Sequence, residues 1–184
     1  MTYEIDIAGL KRELPICKVT DDLYIGAFVM FGDVELTVHC ATELLKRAPE
    51  YDYLIAPEAK AIPLLYEMAR QSGAEKYFLA RKTAKAYMSG VFEVNVKSIT
   101  PAAVQRLIID SADAEQIRGK RMLILDDVIS TGESLRAMEE LVTAAGGIVA
   151  GRMAVLAEGD AIKRDDIIVL APLPLFNPDG TVKE

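Results

Sequence analysis

Three observations predict an α/β fold, a mostly parallel twisted sheet with helices on both faces. Short apolar runs alternate with helical stretches of about 10–15 residues from Val34 onward. The run Met122–Asp127 (MLILDD) reads as a buried strand ending in two carboxylates, the strand type of a covered parallel sheet. The 184 residues, 51% hydrophobic and 27% charged, suffice for one large core without disulfide staples. One domain over residues 1–184 is expected.

The elements follow in order. Leu14–Met30 carries strand-like residues around the turn material Thr20-Asp21-Asp22 and predicts a hairpin. Val34, Val38, Ala41 and Leu45 recur at helical spacing, so Val34–Arg47 predicts an amphipathic helix stopped by Pro49. Tyr51–Ala56 is a short apolar strand and Pro57–Ala61 a loop. A helix follows, with Pro63 in its first turn and Gly73 at its end. Lys76–Ala80 is the next strand, and Arg81–Gly90 is a polar loop with three cations. Val91–Val96 and Gln105–Asp110 predict a two-stranded ribbon. After MLILDD, Gly132–Ala145 is a helix with Leu135, Met138, Leu141 and Val142 on one face, ended by Gly146-Gly147. Ile148–Leu156 and Asp166–Leu170 supply two more strands.

Charge and composition exclude several classes. A net charge of −7 and a pI near 4.9 argue against a broad nucleic-acid surface, which needs clustered Lys and Arg. No run approaches the roughly 18–20 apolar residues of a membrane span. The first residues lack the apolar block of a signal peptide. Cys17 and Cys40 form no CxxC pair, which predicts two reduced thiols and a cytoplasmic location. His39 is the single histidine, which argues against a His-based triad or a multi-His metal site. The sign reverses locally. From Glu58 to Met88 six cations face three anions, a net +3.

The chemistry concentrates after MLILDD. Ligands of open parallel sheets lie beyond the carboxyl ends of the strands. Asp126 and Asp127 stand at such an end, and Ser130, Thr131, Gly132, Glu133 and Ser134 turn the chain into a helix. Hydroxyls, a glycine and free helix N–H groups in one turn make a phosphate-sized cradle of mainly neutral donors. It is not a Walker loop, because GxxxxGK followed by Ser or Thr is missing. Two adjacent acids before such a turn suit a ligand with vicinal hydroxyls and a phosphate. A solvated strand end with an N-cap is the plain alternative.

The run LDDVISTGES resembles the signature of type I phosphoribosyltransferases, enzymes with a Rossmann-like sheet that use phosphoribosyl pyrophosphate. The resemblance implies that Asp126 and Asp127 contact the ribose 2- and 3-hydroxyls and that Ser130–Ser134 bind the 5-phosphate. Ala56–Leu64 (APEAKAIPL) resembles the family's pyrophosphate loop, which implicates Glu58, Ala59, Lys60 and Ala61. Arg81, Lys82 and Lys85 (RKTAK) look like the start of the mobile catalytic loop of adenine enzymes, and Leu170–Phe176 (LAPLPLF) resembles their C-terminal segment. The implied layout is an N-terminal hood over 1–33, a core over 34–176, and a mobile loop and ribbon over 81–110.

The reaction so implied displaces pyrophosphate from ribose C1 and joins a base nitrogen there. Mg²⁺ is the implied cofactor, with few direct protein ligands because it keeps waters and phosphate oxygens. Lys60, Arg81, Lys82 and Lys85 are expected to neutralise the leaving group. Glu93, after the apolar pair Val91-Phe92, takes by resemblance the role of a residue handling a purine proton; a solvent-facing strand residue is the alternative. A homodimer is implied, since a loop cation often comes from the neighbouring subunit. RKTAK and LAPLPLF favour adenine, hence AMP as product and a place in purine salvage. Ser130 stands where enzymes for 6-oxopurines carry an acid, which disfavours hypoxanthine and guanine. Orotate and xanthine enzymes are alternatives, as is a regulator that senses phosphoribosyl pyrophosphate. Tyr24, Phe28 and Phe31 of the hood are candidates for stacking on the base or for the core.

Overall fold

The computed structural model describes residues 1–97 and 104–183. The tip of the expected mobile segment, residues 98–103, lies outside the described residues. Strands are β1 (Thr2–Ile7), β2 (Leu10–Lys18), β3 (Tyr24–Gly26), β4 (Tyr53–Pro57), β5 (Phe78–Ala80), β6 (Val91–Lys97), β7 (Val104–Asp110), β8 (Arg121–Ile129), β9 (Ile148–Glu158), β10 (Ile168–Leu173) and β11 (Leu175–Phe176). Helices are α1 (Val34–Leu45), α2 (Ile62–Ser72), α3 (Ser111–Ile117) and α4 (Glu133–Ala144), with a 3₁₀ turn at Gly159–Lys163.

The central sheet has the order β10-β9-β8-β4-β5, and every neighbouring pair is parallel. Its strands are apolar on both faces because both faces are covered. Leu123 and Leu125 of β8 join a core with α1, α2 and the N-terminal strands. Met122 and Ile124 join a second core with α4 and the ribbon. The ribbon is β6 paired antiparallel to β7, with Leu107 and Ile109 buried in that second core.

The N-terminal hairpin forms as expected, with Cys17 opposite Ile25. It belongs to a four-stranded sheet in the order β1-β2-β3-β11. β1 was not expected, although Tyr3, Ile5 and Ile7 alternate before the turn Ala8-Gly9. β11 comes from the other end of the chain, pairing Leu175 with Ile25. Phe176 is fully buried there, its ring edge-on to Tyr3 at 5.0 Å between centroids. Arg12 joins this sheet to α1. Its guanidinium lies 2.6 Å from Asp33, the N-cap of α1, and 2.7 Å from Glu35. That contact holds the Asp33 carboxyl below the usual carboxylate range.

Two expectations are corrected. The buried stripe of α1 is Leu36, Cys40, Ala41 and Leu44, whereas Val34 is 73% exposed and Val38 is also exposed. The sheet lies about one residue further round the helix than the spacing Val34-Val38-Ala41-Leu45 implied. β8 also does not stop at the two acids. It runs through Asp126 and Asp127 to Ile129, because Val128 and Ile129 continue the ladder against Leu156 and Ala157 of β9. The helix after it keeps its expected face: Leu135, Met138, Leu141 and Val142 are all buried.

Candidate active site

The carboxyl ends of β4, β5 and β8 lie side by side, so three loops meet above one edge of the sheet. Between them lies a cleft of about 520 Å³, lined by Glu58, Ala59, Lys60, Lys82, Arg106, Asp126, Asp127 and Ser134. Segments far apart in sequence thus share one space.

The loop after β4 is pinned by backbone and side-chain contacts. The Glu58 N–H donates to the Ala80 carbonyl at 2.8 Å, and the Glu58–Ala59 peptide is cis. The Glu58 carboxylate accepts from the Lys82 N–H at 2.9 Å and lies 3.2 Å from Arg81 Nε. Ala61 is buried at the N-cap of α2, where Pro63 occupies the first turn. Lys60 reaches over the cleft, with Nζ 3.7 Å from Asp127 Oδ2.

The acids are placed at a cost. Asp127 is 5% exposed, and its buried Oδ2 has no hydrogen-bond donor. The Asp127 N–H donates to Asp126 Oδ1 at 2.9 Å. Burial, then the neighbouring Asp127 charge, push the Asp126 carboxyl far above the usual range. An acceptor oxygen buried without a donor costs about 1–3 kcal/mol. Such an atom is suited to a ligand hydroxyl or a cation. Among the described residues no group of three or more His, Cys, Asp and Glu side chains is arranged around a metal site.

Ser130, Thr131, Gly132, Glu133 and Ser134 form the turn from β8 into α4, with Gly132 as N-cap at φ 78°. A side chain at 132 would also meet Arg164, whose Nη1 lies 2.8 Å from the ideal Cβ position. Arg164 is fixed by a two-point pair with Asp166 at 2.8 and 2.7 Å.

Other expected residues fall outside the cleft lining. Arg81 forms an antiparallel bridge with Ile108 and donates from Nη1 to the Tyr87 hydroxyl at 2.7 Å. Lys85 Nζ bonds Thr83 at 3.0 Å. Glu93 lies on the ribbon and accepts from Arg106 and Asn95, which lower its pKa. Tyr24 and Phe31 do not line the cleft, and Phe28 is a core residue. Two residues went unnoticed in the sequence. Arg106 lines the cleft. Glu158, at the end of β9, is 8% exposed; burial raises its pKa, while a hydrogen bond with Ser130 and the Lys60 charge act the other way. Neither sits in a motif, and their placement follows from strand pairing alone.

A family model, the phosphoribosyl transferase domain, matches residues 38–171. The chain belongs to the phosphoribosyltransferase family. This is a family of glycosyltransferase-type enzymes. An adenine phosphoribosyltransferase of Thermosipho africanus is 25% identical over 174 residues, covering 90% of this chain and 98% of that protein. An orotate phosphoribosyltransferase of Caldanaerobacter subterraneus is 27% identical over 132 residues, 71% of this chain but 58% of that protein. The chain thus spans less than two thirds of the orotate relative. The solved adenine phosphoribosyltransferase of Thermoanaerobacter pseudethanolicus superposes with a TM-score of 0.65 over 94% of this chain and 95% of that one, at 22% identity. That likeness shows a shared fold over nearly the whole of both chains.

Proposed function

We propose that the chain transfers the 5-phosphoribosyl group from phosphoribosyl pyrophosphate to a nucleobase, with adenine as the base and AMP and pyrophosphate as products. One observation carries this reading: a single cleft joins the buried acid pair Asp126-Asp127, the Lys60 ammonium and Ser134, the last residue of the Ser130–Ser134 turn. The acids accept from the ribose hydroxyls, the turn holds the 5-phosphate on N–H groups, and Lys60 and Lys82 face the pyrophosphate. The bond from C1 to the pyrophosphate oxygen breaks as the bond from C1 to a base nitrogen forms. Holding both reactants in line lowers the entropic part of the barrier. Arg81 holds Glu58 and so shapes the pyrophosphate loop, and Lys85 belongs to a loop that closes over the substrate. In this reading Glu93, outside the cleft lining, acts as the partner of Arg106.

Asp127 Oδ2, buried and without a donor, fits a hard cation or a cation-bound sugar. Asp126 and Asp127 would hold Mg²⁺, which when bound neutralises charge on the pyrophosphate. Adenine is supported by the relative matched over nearly its whole length. Orotate is the second reading, favoured by the relative matched over 71% of this chain. The test is pyrophosphate release from phosphoribosyl pyrophosphate and Mg²⁺ with adenine, orotate, xanthine, hypoxanthine or guanine. Release with adenine alone is the expected result. Release with orotate alone replaces the base, and binding without release from any base favours a regulator.

A homodimer and a cytoplasmic location belong to the same proposal. Among the described residues no helix is long and apolar enough to cross a membrane. Val34 and Tyr66 are 73% and 54% exposed and, with Val38, border an apolar groove of about 230 Å³. The groove lies on α1 and α2, and α2 starts at the Glu58–Ala61 loop, so a second copy seated there stands beside the cleft. Sedimentation at micromolar concentration is expected to give a dimer, and Val34→Asp a monomer. A monomeric wild type ends this part of the proposal.

A further inference from the structure

We propose that Arg106 is a further pyrophosphate-binding residue and that Glu93 is the positioning residue that aims it; this rests on the transferase reading above. In the ribbon, Asn95 stands opposite Arg106 and Glu93 opposite Ile108. Residues directly paired across an antiparallel ladder share a face, so Glu93, Asn95 and Arg106 lie together. The other face carries Leu107 and Ile109, buried in the core that holds α4. The backbone under Arg106 is therefore fixed by packing, and its side chain lines the cleft beside Lys60 and Lys82.

Glu93 takes one edge of the guanidinium. Its Oε2 accepts from Nε at 3.1 Å and from Nη2 at 2.5 Å. Its Oε1 accepts from Asn95 Nδ2 at 2.9 Å, which fixes the carboxylate in turn. Among the described residues nothing accepts from Nη1, so that edge is available to phosphate oxygens. A guanidinium offers paired N–H donors in a plane, which match two oxygens of a phosphate. The other cations need such help. Arg81 is spent on Glu58 and Tyr87, and Lys85 is bonded to Thr83. Among the cleft-lining residues Arg106 is the one guanidinium.

The test is calorimetric titration of the full chain with pyrophosphate plus Mg²⁺ and, separately, with ribose 5-phosphate. Arg106→Ala is expected to weaken pyrophosphate by about 10- to 100-fold and to leave ribose 5-phosphate unchanged. Arg106→Lys recovers part of the loss. Glu93→Gln weakens pyrophosphate by about 3- to 10-fold, and has no further effect when added to Arg106→Ala. Wild-type pyrophosphate affinity in Arg106→Ala overturns the inference and leaves the transferase reading standing. Equal loss of both ligands also overturns it, because the residue is then structural. A wild type that binds neither ligand overturns the transferase reading and this inference together.

Discussion

Asp127→Asn lowers kcat/KM for phosphoribosyl transfer by about 100- to 1,000-fold and, at the same time, makes the empty protein harder to melt. The first half follows from the orphaned Oδ2. Asparagine keeps the shape but removes the charge and offers an N–H₂ donor on one side, where a ribose hydroxyl needs an acceptor. Losing a charged acceptor and leaving a donor-to-donor contact in a buried site is worth about 3–4 kcal/mol of transition-state binding.

The second half follows from the pair. Burial and the Asp127 charge raise the Asp126 pKa above its unfolded value. Above about pH 4 the unfolded chain has released that proton while the folded chain still holds it. The folded state binds more protons, so its stability falls as pH rises through that window. Asp127→Asn removes the repulsion, and the rise in melting temperature is expected to be larger near pH 8 than near pH 5. Wild-type kinetics in the variant end the assignment of Asp127 to the sugar. A melting temperature that drops equally at both pH values ends the account of the pair. The pattern is that of a site whose groups are held for the ligand at the expense of the fold.

Gly132→Ala is expected to cost about 1–2 kcal/mol of stability and about 100-fold in ribose 5-phosphate affinity. Two constraints act on one atom. The residue sits at φ 78°, where an L side chain is strained. The new methyl also falls 2.8 Å from Arg164 Nη1, so that partly exposed guanidinium has to turn aside from its two bonds to Asp166. Relief of the strained φ shifts the turn, and the N–H groups proposed to hold the phosphate shift with it. Thermal unfolding and calorimetry separate the two effects. A variant that loses stability and keeps its ribose 5-phosphate affinity removes the cradle from the site.

The parts legible in the sequence were those whose signal is local. Pro63 and Gly73 bracket α2, Gly146-Gly147 ends α4, and the run Met122–Asp127 is apolar enough to mark a covered strand. The Asp126-Asp127 pair and the turn after it were legible because they occupy nine consecutive residues, Asp126 to Ser134. α1 was misread because Val34 and Val38 satisfy helical spacing as well as Leu36 and Cys40 do; only the position of the sheet decides between them. α3 was missed since its seven residues carry little apolar periodicity, although Asp110 caps it by accepting from the Ala112 N–H. Arg106 and Glu158 were invisible for another reason. Each enters the site through strand register, and register is a property of two segments at once.

The pairing of Leu175 with Ile25 has a consequence for the order of assembly. During synthesis β3 is made early, yet its second neighbour does not exist until residue 176 has left the ribosome. The central sheet draws on strands from Tyr53 to Leu173 and can form first. The N-terminal strands must then wait, with one edge open, through most of translation. An open edge invites pairing with other chains. The closing step brings together segments 150 residues apart, the kind of contact that slows folding most. Until then the edge of β3 stays open to other chains, and the last short strand covers it.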